Sequence, residues 1–164
     1  KNSIVFYIKK HIQLYMHYLI ILIYLFLSIS FSHEYKKNGI EITHPVLKIV
    51  SSDAKMGAGY FKIKNNSKNK ISLVGIESKI AKKQEIHEVL IENNTYKMRP
   101  IKKNLIILPG KELTFKSKSY HVMFFDIYNS HEPDEMLNAT LNFSDNLMIK
   151  VKFKVIIGNT RHNH

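Results

Sequence analysis

Short apolar runs alternate with polar turn residues along the chain from residue 40 onward. The runs are rich in β-branched and aromatic residues, and clusters containing Asn, Gly or Pro separate them. So many short strands in succession predict an all-β sandwich or barrel. The predicted strands are Ile40–Val50, Gly59–Lys64, Ile71–Gly75, Ile86–Ile91, Tyr96–Ile101, Leu105–Leu108, Glu112–Phe115, His121–Tyr128, Leu137–Phe143 and Met148–Ile157.

The last predicted strand carries the clearest alternation. Charged and apolar residues follow one another strictly through Lys150–Val155, so one face of this strand is expected to pack inward while the other contacts water. Only Ser78–Glu85 has a composition that allows a turn of helix. No internal repeat or linker interrupts the pattern, which predicts a single β domain.

The N-terminal part of the sequence has a different character. Lys9 and Lys10 precede an uncharged, mostly apolar stretch that ends near the small residues Ser30 and Ser32, the layout of a secretory signal. Cleavage is expected to leave His33 as the new N-terminus. An uncleaved anchor is the alternative, because about twenty apolar residues can span a bilayer. The predicted organisation is therefore a signal peptide or membrane anchor at 1–32, a β-sandwich domain at 33–158 and a His-containing tail at 159–164.

The basic charge of the chain does not indicate nucleic-acid binding. The net charge is +12, and three of the positive charges lie in residues 1–32, so the remainder carries +9. The basic residues are 23 Lys and only two Arg, Arg99 and Arg161, whereas phosphate and base recognition favours the bidentate guanidinium group. Most of the lysines are expected on the solvated surface. Catalytic motifs such as Gly-x-Ser-x-Gly or His-Glu-x-x-His are absent, so an enzyme is not expected.

Histidine and methionine recur together at two places in the predicted strands. His87 and Met98 lie in consecutive strands, and a two-residue loop at Asn93-Asn94 would make them diagonal neighbours on one face of a hairpin. His121 and Met123 lie two residues apart in a later strand, so their side chains project to one side. Thioether sulfur selects Cu(I), and imidazole binds copper in either oxidation state. These four residues are therefore candidate copper ligands.

A simpler alternative remains open from the residues alone. Met98 and Met123 could fill core space, and the two histidines could be ordinary half-buried residues, because nothing in the sequence shows that the two pairs converge. The absence of Cys nevertheless fits an exported copper site, since thioethers and imidazoles avoid thiol oxidation and disulfide exchange. It also excludes a blue-copper electron carrier, which needs a thiolate ligand.

The order His-x10-Met, twenty-two residues and then His-x-Met resembles the periplasmic copper(I) chaperones called PCuAC. Shorter motifs resemble that family too, and they occur in its order across most of the chain after residue 33. They are Gly57-Ala58-Gly59-Tyr60, Leu73-Val74-Gly75, His87-Glu88, Met98-Arg99-Pro100, Pro109-Gly110 and Tyr120-His121-Val122-Met123. The first strand departs from the family, because many members carry Pro-Trp there and this chain has His44-Pro45 and no Trp.

The resemblance implies a cupredoxin-like Greek-key β-sandwich and a periplasmic metallochaperone that holds one Cu(I) and passes it on. The implied ligands are His87, Met98, His121 and Met123. The implied acceptors are cytochrome c oxidase, through its subunit II, or other copper carriers. We expect a monomer that contacts the membrane only through an uncleaved N-terminal segment. A weak additional Cu(II) site at the chain ends, with His33, His162 and His164, is a further hypothesis.

Copper binding through imidazole has an expected pH dependence, and the alternative function has none. Imidazole binds metal only when unprotonated, so copper affinity should fall as the pH decreases through about 6 to 7, the ordinary histidine range. The alternative function is a metal-independent β-sandwich module of the cell envelope, with a structural or adhesive role. Such a module would not change its function when the candidate ligands are replaced.

Overall fold

The computed structural model describes residues 11–20 and 34–158. The chain divides into two compact units, Lys1–Ser32 and His33–His164. Residues 11–20 of the first unit are helical, and no helix within the described ranges is both long and apolar enough to cross a bilayer. The predicted cleavage site at residues 30–32 and the predicted tail at 159–164 lie outside the described residues, so both stay predictions.

The described part of the second unit is built from β-strands joined by turns. The strands are β1 (Glu34–Lys37), β2 (Ile40–Ile49), β3 (Met56–Asn65), β4 (Ile71–Ser78), β5 (Ala81–Glu92), β6 (Thr95–Pro100), β7 (Leu105–Ile107), β8 (Glu112–Phe115), β9 (His121–Ile127), β10 (Met136–Phe143) and β11 (Met148–Ile157). Their hydrogen-bonded order is β6-β5-β9-β3-β2-β11-β10-β4-β7, while β1 pairs with β2 and β8 pairs with β3. The pairs are antiparallel except β2 with β11.

The core lies between the apolar faces of these strands and centres on four phenylalanine rings. Phe61 stacks on Phe115 with ring centroids 4.3 Å apart, and the Phe153 ring contacts Phe61 and Phe124 edge-on at 5.8 and 5.7 Å. Such stacked and edge-on pairs stabilise a core beyond the burial of their area. The alternation predicted for Lys150–Val155 is confirmed, because every second residue of β11 in this segment is buried.

A bulge at His44-Pro45 lets β2 take different partners along one edge. Its first half, Ile40–Thr43, pairs with β1, and its second half, Val46–Ile49, pairs with β11. His44 has a positive φ of 52°, and the pairing with β3 shifts register at this point. Proline cannot donate a ladder hydrogen bond, so a bulge is a site where a strand tolerates it. His44 is exposed.

The helical turn that the composition of Ser78–Glu85 allows does not form, because β4 extends to Ser78 and β5 begins at Ala81. This segment has the composition of a helix, but its backbone pairs with β9, with Ala81 opposite Ile127 and Glu85 opposite Met123. Tertiary pairing here overrides a weak local propensity. Strand β1 was not predicted, because its four residues are mostly exposed and show no apolar alternation.

Candidate metal centre

The hairpin of β5 and β6 sets the position of two candidate ligands. Its loop is Asn93-Asn94, and both residues have positive φ, 51° and 60°, as in the type I′ turn that matches the twist of a hairpin. Glu92 therefore faces Thr95, Val89 faces Met98 and His87 faces Pro100. The predicted hairpin and its register are confirmed. Met98 accordingly lies diagonally across from His87, on the same face.

Strand β9 lies on the other side of β5 and brings the second pair of residues to this face. His121 is directly opposite His87, and Met123 is directly opposite Glu85. Residues that face each other in an antiparallel ladder project to the same side, and side chains alternate along each strand. All four predicted ligands thus project from one face of three adjacent strands, β6, β5 and β9. The two imidazole ring centroids are 5.7 Å apart.

The opposite face of β9 holds this strand in the core. Val122 and Phe124 are completely buried, and they alternate with His121 and Met123 along the strand. Gly59 of β3 faces Val122, and a Cβ at this glycine would lie only 2.9 Å from the Phe124 ring. The absence of a side chain at residue 59 therefore permits close packing of β3 on the core. Core packing on one face of β9 orients the candidate ligands on the other.

Exposure differs sharply among the four candidate ligands. His87 and His121 are buried, with 9% and 4% of their surface exposed, whereas Met98 on the edge strand β6 is 62% exposed. Met123 is half-buried. The nitrogen donors therefore lie beneath the surface, and one thioether is presented to solvent.

Each imidazole uses one ring nitrogen in a hydrogen bond and leaves the other without a protein partner. His87 Nε2 lies 3.0 Å from Glu85 Oε2, and His121 Nδ1 lies 2.9 Å from the Ser119 carbonyl oxygen. A carboxylate and a carbonyl can only accept, so these two nitrogens carry the protons and donate. His87 Nδ1 and His121 Nε2 are buried and make no hydrogen bond within the described part of the chain. In the neutral rings these two atoms carry free lone pairs.

Glu85 is held in its ionised form by two neighbours. The Lys83 ammonium group, 2.7 Å from Oε1, has the largest effect and lowers the pKa of the Glu85 carboxyl, and the hydrogen bond with His87 lowers that pKa further. Burial opposes these effects only weakly, since Glu85 lies near the surface. The group that faces His87 Nε2 is therefore a carboxylate at neutral pH.

The two imidazoles are close enough together to bind one metal ion. Two imidazoles bound to one ion by bonds of about 2.0 to 2.1 Å, the length found at zinc sites, would have ring centroids at most about 6.5 Å apart. The observed 5.7 Å is within that limit. Within residues 11–20 and 34–158, no three His, Asp or Glu side chains form a group that could hold a metal. A centre with more than two protein donors on this face would therefore include thioether sulfur, which favours Cu(I) over Zn²⁺ or Ca²⁺.

The other histidines do not join this face. His131 is buried in the loop before β10, and its Nδ1 lies 3.0 Å from Glu135 Oε2. No partner for His131 was identified from the sequence, although an acid four residues further on was the available signal. Glu85 was also missed as part of the site, because the predicted strand begins at Ile86 and the composition of the preceding segment allows a turn of helix. His33, His162 and His164 lie outside the described residues, so the Cu(II) site remains a hypothesis.

Comparison with known proteins identifies the family to which the chain belongs. A family model described as "Putative lipoprotein LpqE-like" matches residues 40–155. The chain belongs to the LpqE-like family. It is also similar to a protein of Leifsonia xyli subsp. xyli, "Putative lipoprotein Lxx21020", with 25% identity over 108 residues. The match covers 66% of this chain and 64% of that relative, so the chain spans less than two thirds of the relative's length.

Solved structures share the fold of this LpqE-like chain at low sequence identity. The "Copper-bound PCuAC domain from PmoF2" superposes with a TM-score of 0.63 and 19% identity, covering 77% of this chain and 99% of that domain. The "Apo PCuAC domain from PmoF1" superposes with a TM-score of 0.64 and 19% identity, covering 77% of this chain and 100% of that domain. The structure of CuI-DR1885 from Deinococcus radiodurans superposes with a TM-score of 0.55 and 22% identity, covering 68% of this chain and 74% of that chain.

The predicted all-β, cupredoxin-like Greek-key sandwich is therefore confirmed. The resemblance to PCuAC holds for the fold, whereas the family whose model matches is LpqE-like. At these identities the structural likeness concerns the fold alone. The ligands and the cargo of this LpqE-like protein have to be argued from its own residues.

Proposed function

We propose that this LpqE-like protein is a copper(I)-binding metallochaperone of the cell envelope. His87, Met98, His121 and Met123 bind one Cu(I), which the protein carries to an acceptor. The observation that carries this proposal is the opposed pair His87 and His121, each with a buried ring nitrogen that has no partner among the residues the structure describes. Two thioethers on the same face complete a neutral, soft donor set.

The arrangement suits a carrier because its donors differ in accessibility. The buried imidazoles are fixed by the β5–β9 ladder and by their hydrogen bonds, so they can hold the ion firmly. Met98 lies on the edge strand and is 62% exposed, so an acceptor's ligand can approach the ion from this side. A preorganised nitrogen pair with an accessible thioether allows both tight binding and ligand exchange.

The comparisons support the class of cargo and the compartment. Two of the structures that share this fold are copper-bound, and the relative and the family model are both described as lipoproteins. We infer that the protein is exported, acts in the periplasm and makes membrane contact through its N-terminal region. The proposed acceptors are other copper carriers or subunit II of cytochrome c oxidase. The protein acts as a monomer and not as an enzyme.

Titration of the purified chain with Cu(I) under a competing chelator tests this function. One ion should bind per chain, and His87→Ala combined with Met123→Ala should abolish tight binding. The matched control is His44→Ala combined with Met148→Ala. It removes one exposed imidazole and one exposed thioether elsewhere on the domain and should leave binding intact.

The second candidate function is a metal-independent structural or adhesive module of the envelope. It predicts that Cu(I) does not bind one-to-one, or that the double replacement at His87 and Met123 changes binding no more than the control double replacement does. Either result would remove the chaperone proposal and leave the fold and family unchanged.

A further inference from the structure

The side chain of Glu85 contacts a candidate ligand through one carboxylate oxygen and a lysine through the other. Its Oε2 accepts a hydrogen bond from His87 Nε2 at 3.0 Å, and its Oε1 pairs with Lys83 Nζ at 2.7 Å. Both carboxylate oxygens are therefore engaged. The Lys83 ammonium group also lies 5.6 Å from the centroid of the Phe125 ring, and this ring lies 6.0 Å from the His87 ring, so Lys83 is held beside the same histidine.

We propose that Glu85 is a positioning residue that selects the ring nitrogen through which His87 binds copper, an inference that rests on the proposed function. By accepting the Nε2 proton, the carboxylate keeps His87 in the tautomer whose Nδ1 lone pair is free. That Nδ1 atom is buried and makes no hydrogen bond within the described residues. Carboxylates that bond to ligating histidines orient the ring and make it a stronger donor.

The two histidines are consequently not equivalent. His121 donates its Nδ1 proton to the Ser119 carbonyl, which leaves Nε2 as the free atom. His87 donates from Nε2 to Glu85, which leaves Nδ1 free. The copper ion is bound by opposite ring nitrogens of two histidines that face each other across one ladder. The backbone carbonyl of Ser119 sets the tautomer of His121, whereas the side chain of Glu85, which a substitution can remove, sets the tautomer of His87.

A purely structural role for Glu85 is the competing explanation. The Lys83–Glu85 pair lies near the surface, with 61% and 28% of the side chains exposed, and such pairs contribute little to stability. A structural role predicts a change in stability without any change in the His87 proton position. The two explanations therefore differ in a quantity that can be measured without metal.

The test uses the full chain with 15N-labelled histidine, first free of metal at about pH 8, where histidine is normally neutral. Imidazole 15N shifts should report the proton on Nε2 of His87 in the wild type. Glu85→Ala should shift that proton toward Nδ1 or give a mixture of tautomers. Glu85→Gln should keep the wild-type tautomer, because an amide oxygen can still accept the hydrogen bond.

Glu88→Ala is the matched control because it removes the same charge one residue from His87. Glu88 lies on the opposite face of β5, across from Arg99. In Cu(I) competition titrations, Glu85→Ala should weaken binding by about 10- to 100-fold, the usual effect of losing such a partner. Glu85→Gln should recover most of this loss, and Glu88→Ala should bind like the wild type.

An unchanged His87 proton position in Glu85→Ala would overturn the positioning role, whether or not copper binds. Equal losses of affinity in Glu85→Ala and Glu88→Ala would overturn it as well, since they would indicate a general charge effect. Failure of the wild type to bind one Cu(I) would instead contradict the proposed function. The metal-free tautomer measurement keeps these two failures distinguishable.

Discussion

His87 and His121 face each other across the β5–β9 ladder, with ring centroids 5.7 Å apart and, on each ring, one buried nitrogen that makes no hydrogen bond within residues 11–20 and 34–158. These residues are separated by more than thirty positions along the chain. Their opposition depends on the register of one antiparallel pair, because a slip of one residue would move one ring to the other face. The candidate centre is therefore a property of the sheet as well as of the ligands.

Replacement of Met98 by Leu should weaken Cu(I) binding by about tenfold or more, which corresponds to about 1.4 kcal/mol for each factor of ten. The thioether is lost, while the size of the side chain is nearly kept. Because Met98 is 62% exposed, the free energy of unfolding should change by less than about 0.5 kcal/mol. Competition titration and denaturant unfolding provide the two measurements. Met148→Leu, at a methionine that is 57% exposed, is the control, and an equal loss there would contradict a specific role for Met98.

The hairpin loop should tolerate glycine and resist a β-branched residue. Asn94 has a φ of 60°, where glycine is unstrained and valine is not. Asn94→Gly should keep the melting temperature, while Asn94→Val should cost about 1 to 3 kcal/mol of stability. Cu(I) affinity should fall together with stability in Asn94→Val, because the loop sets the register that places Met98 beside His87. Full copper affinity in that variant would show that the hairpin register is not required.

Gly59→Ala should destabilise the domain by about 1 to 3 kcal/mol, the usual cost of an overpacked core. An added Cβ would lie 2.9 Å from the Phe124 ring and 3.0 Å from the Phe153 ring, both fully buried. Gly75→Ala is the control, because a Cβ at that position meets no atom within 4 Å among the described residues other than its neighbours along the chain. Urea unfolding of the two variants measures the difference. Equal stabilities would mean that the core can move aside at Gly59.

Acidification should reduce the stability of the domain, and Glu112 should contribute to this effect. A hydrogen bond from the Thr114 hydroxyl, and then the Lys62 ammonium group, hold the pKa of the Glu112 carboxyl below its usual range. A lowered folded-state pKa means that the contribution is complete above the unfolded-state pKa and is lost as the pH falls through the folded-state value. Melting temperatures between about pH 5 and pH 2 should therefore fall slightly less steeply in Glu112→Gln than in the wild type, since glutamate titrates in this range. The effect is small because the Glu112 side chain is 43% exposed. Identical pH profiles would contradict it.

Local sequence signals predicted the hairpin better than the segment that precedes it. The turn-type residues between the two strands indicate a hairpin, and a two-residue loop at Asn93-Asn94 then sets which residues of β5 and β6 face each other. The first residues of β5, beginning at Ala81, have a helical composition, so their strand conformation could not be predicted locally. It depends on hydrogen bonds to β9, which lies some forty residues further along the chain.

The sequence by itself determined the all-β class, most strands, the hairpin register and the types of donor atom, because these follow from side-chain periodicity, turn residues and the chemistry of imidazole and thioether groups. Only the tertiary structure decided that His87 faces His121, that Glu85 contacts His87, and that the imidazoles are buried while Met98 is exposed. These features depend on which strands become neighbours and in what register. Pairing of distant strands is selected by burial of the whole core, and no local segment of the chain contains that information.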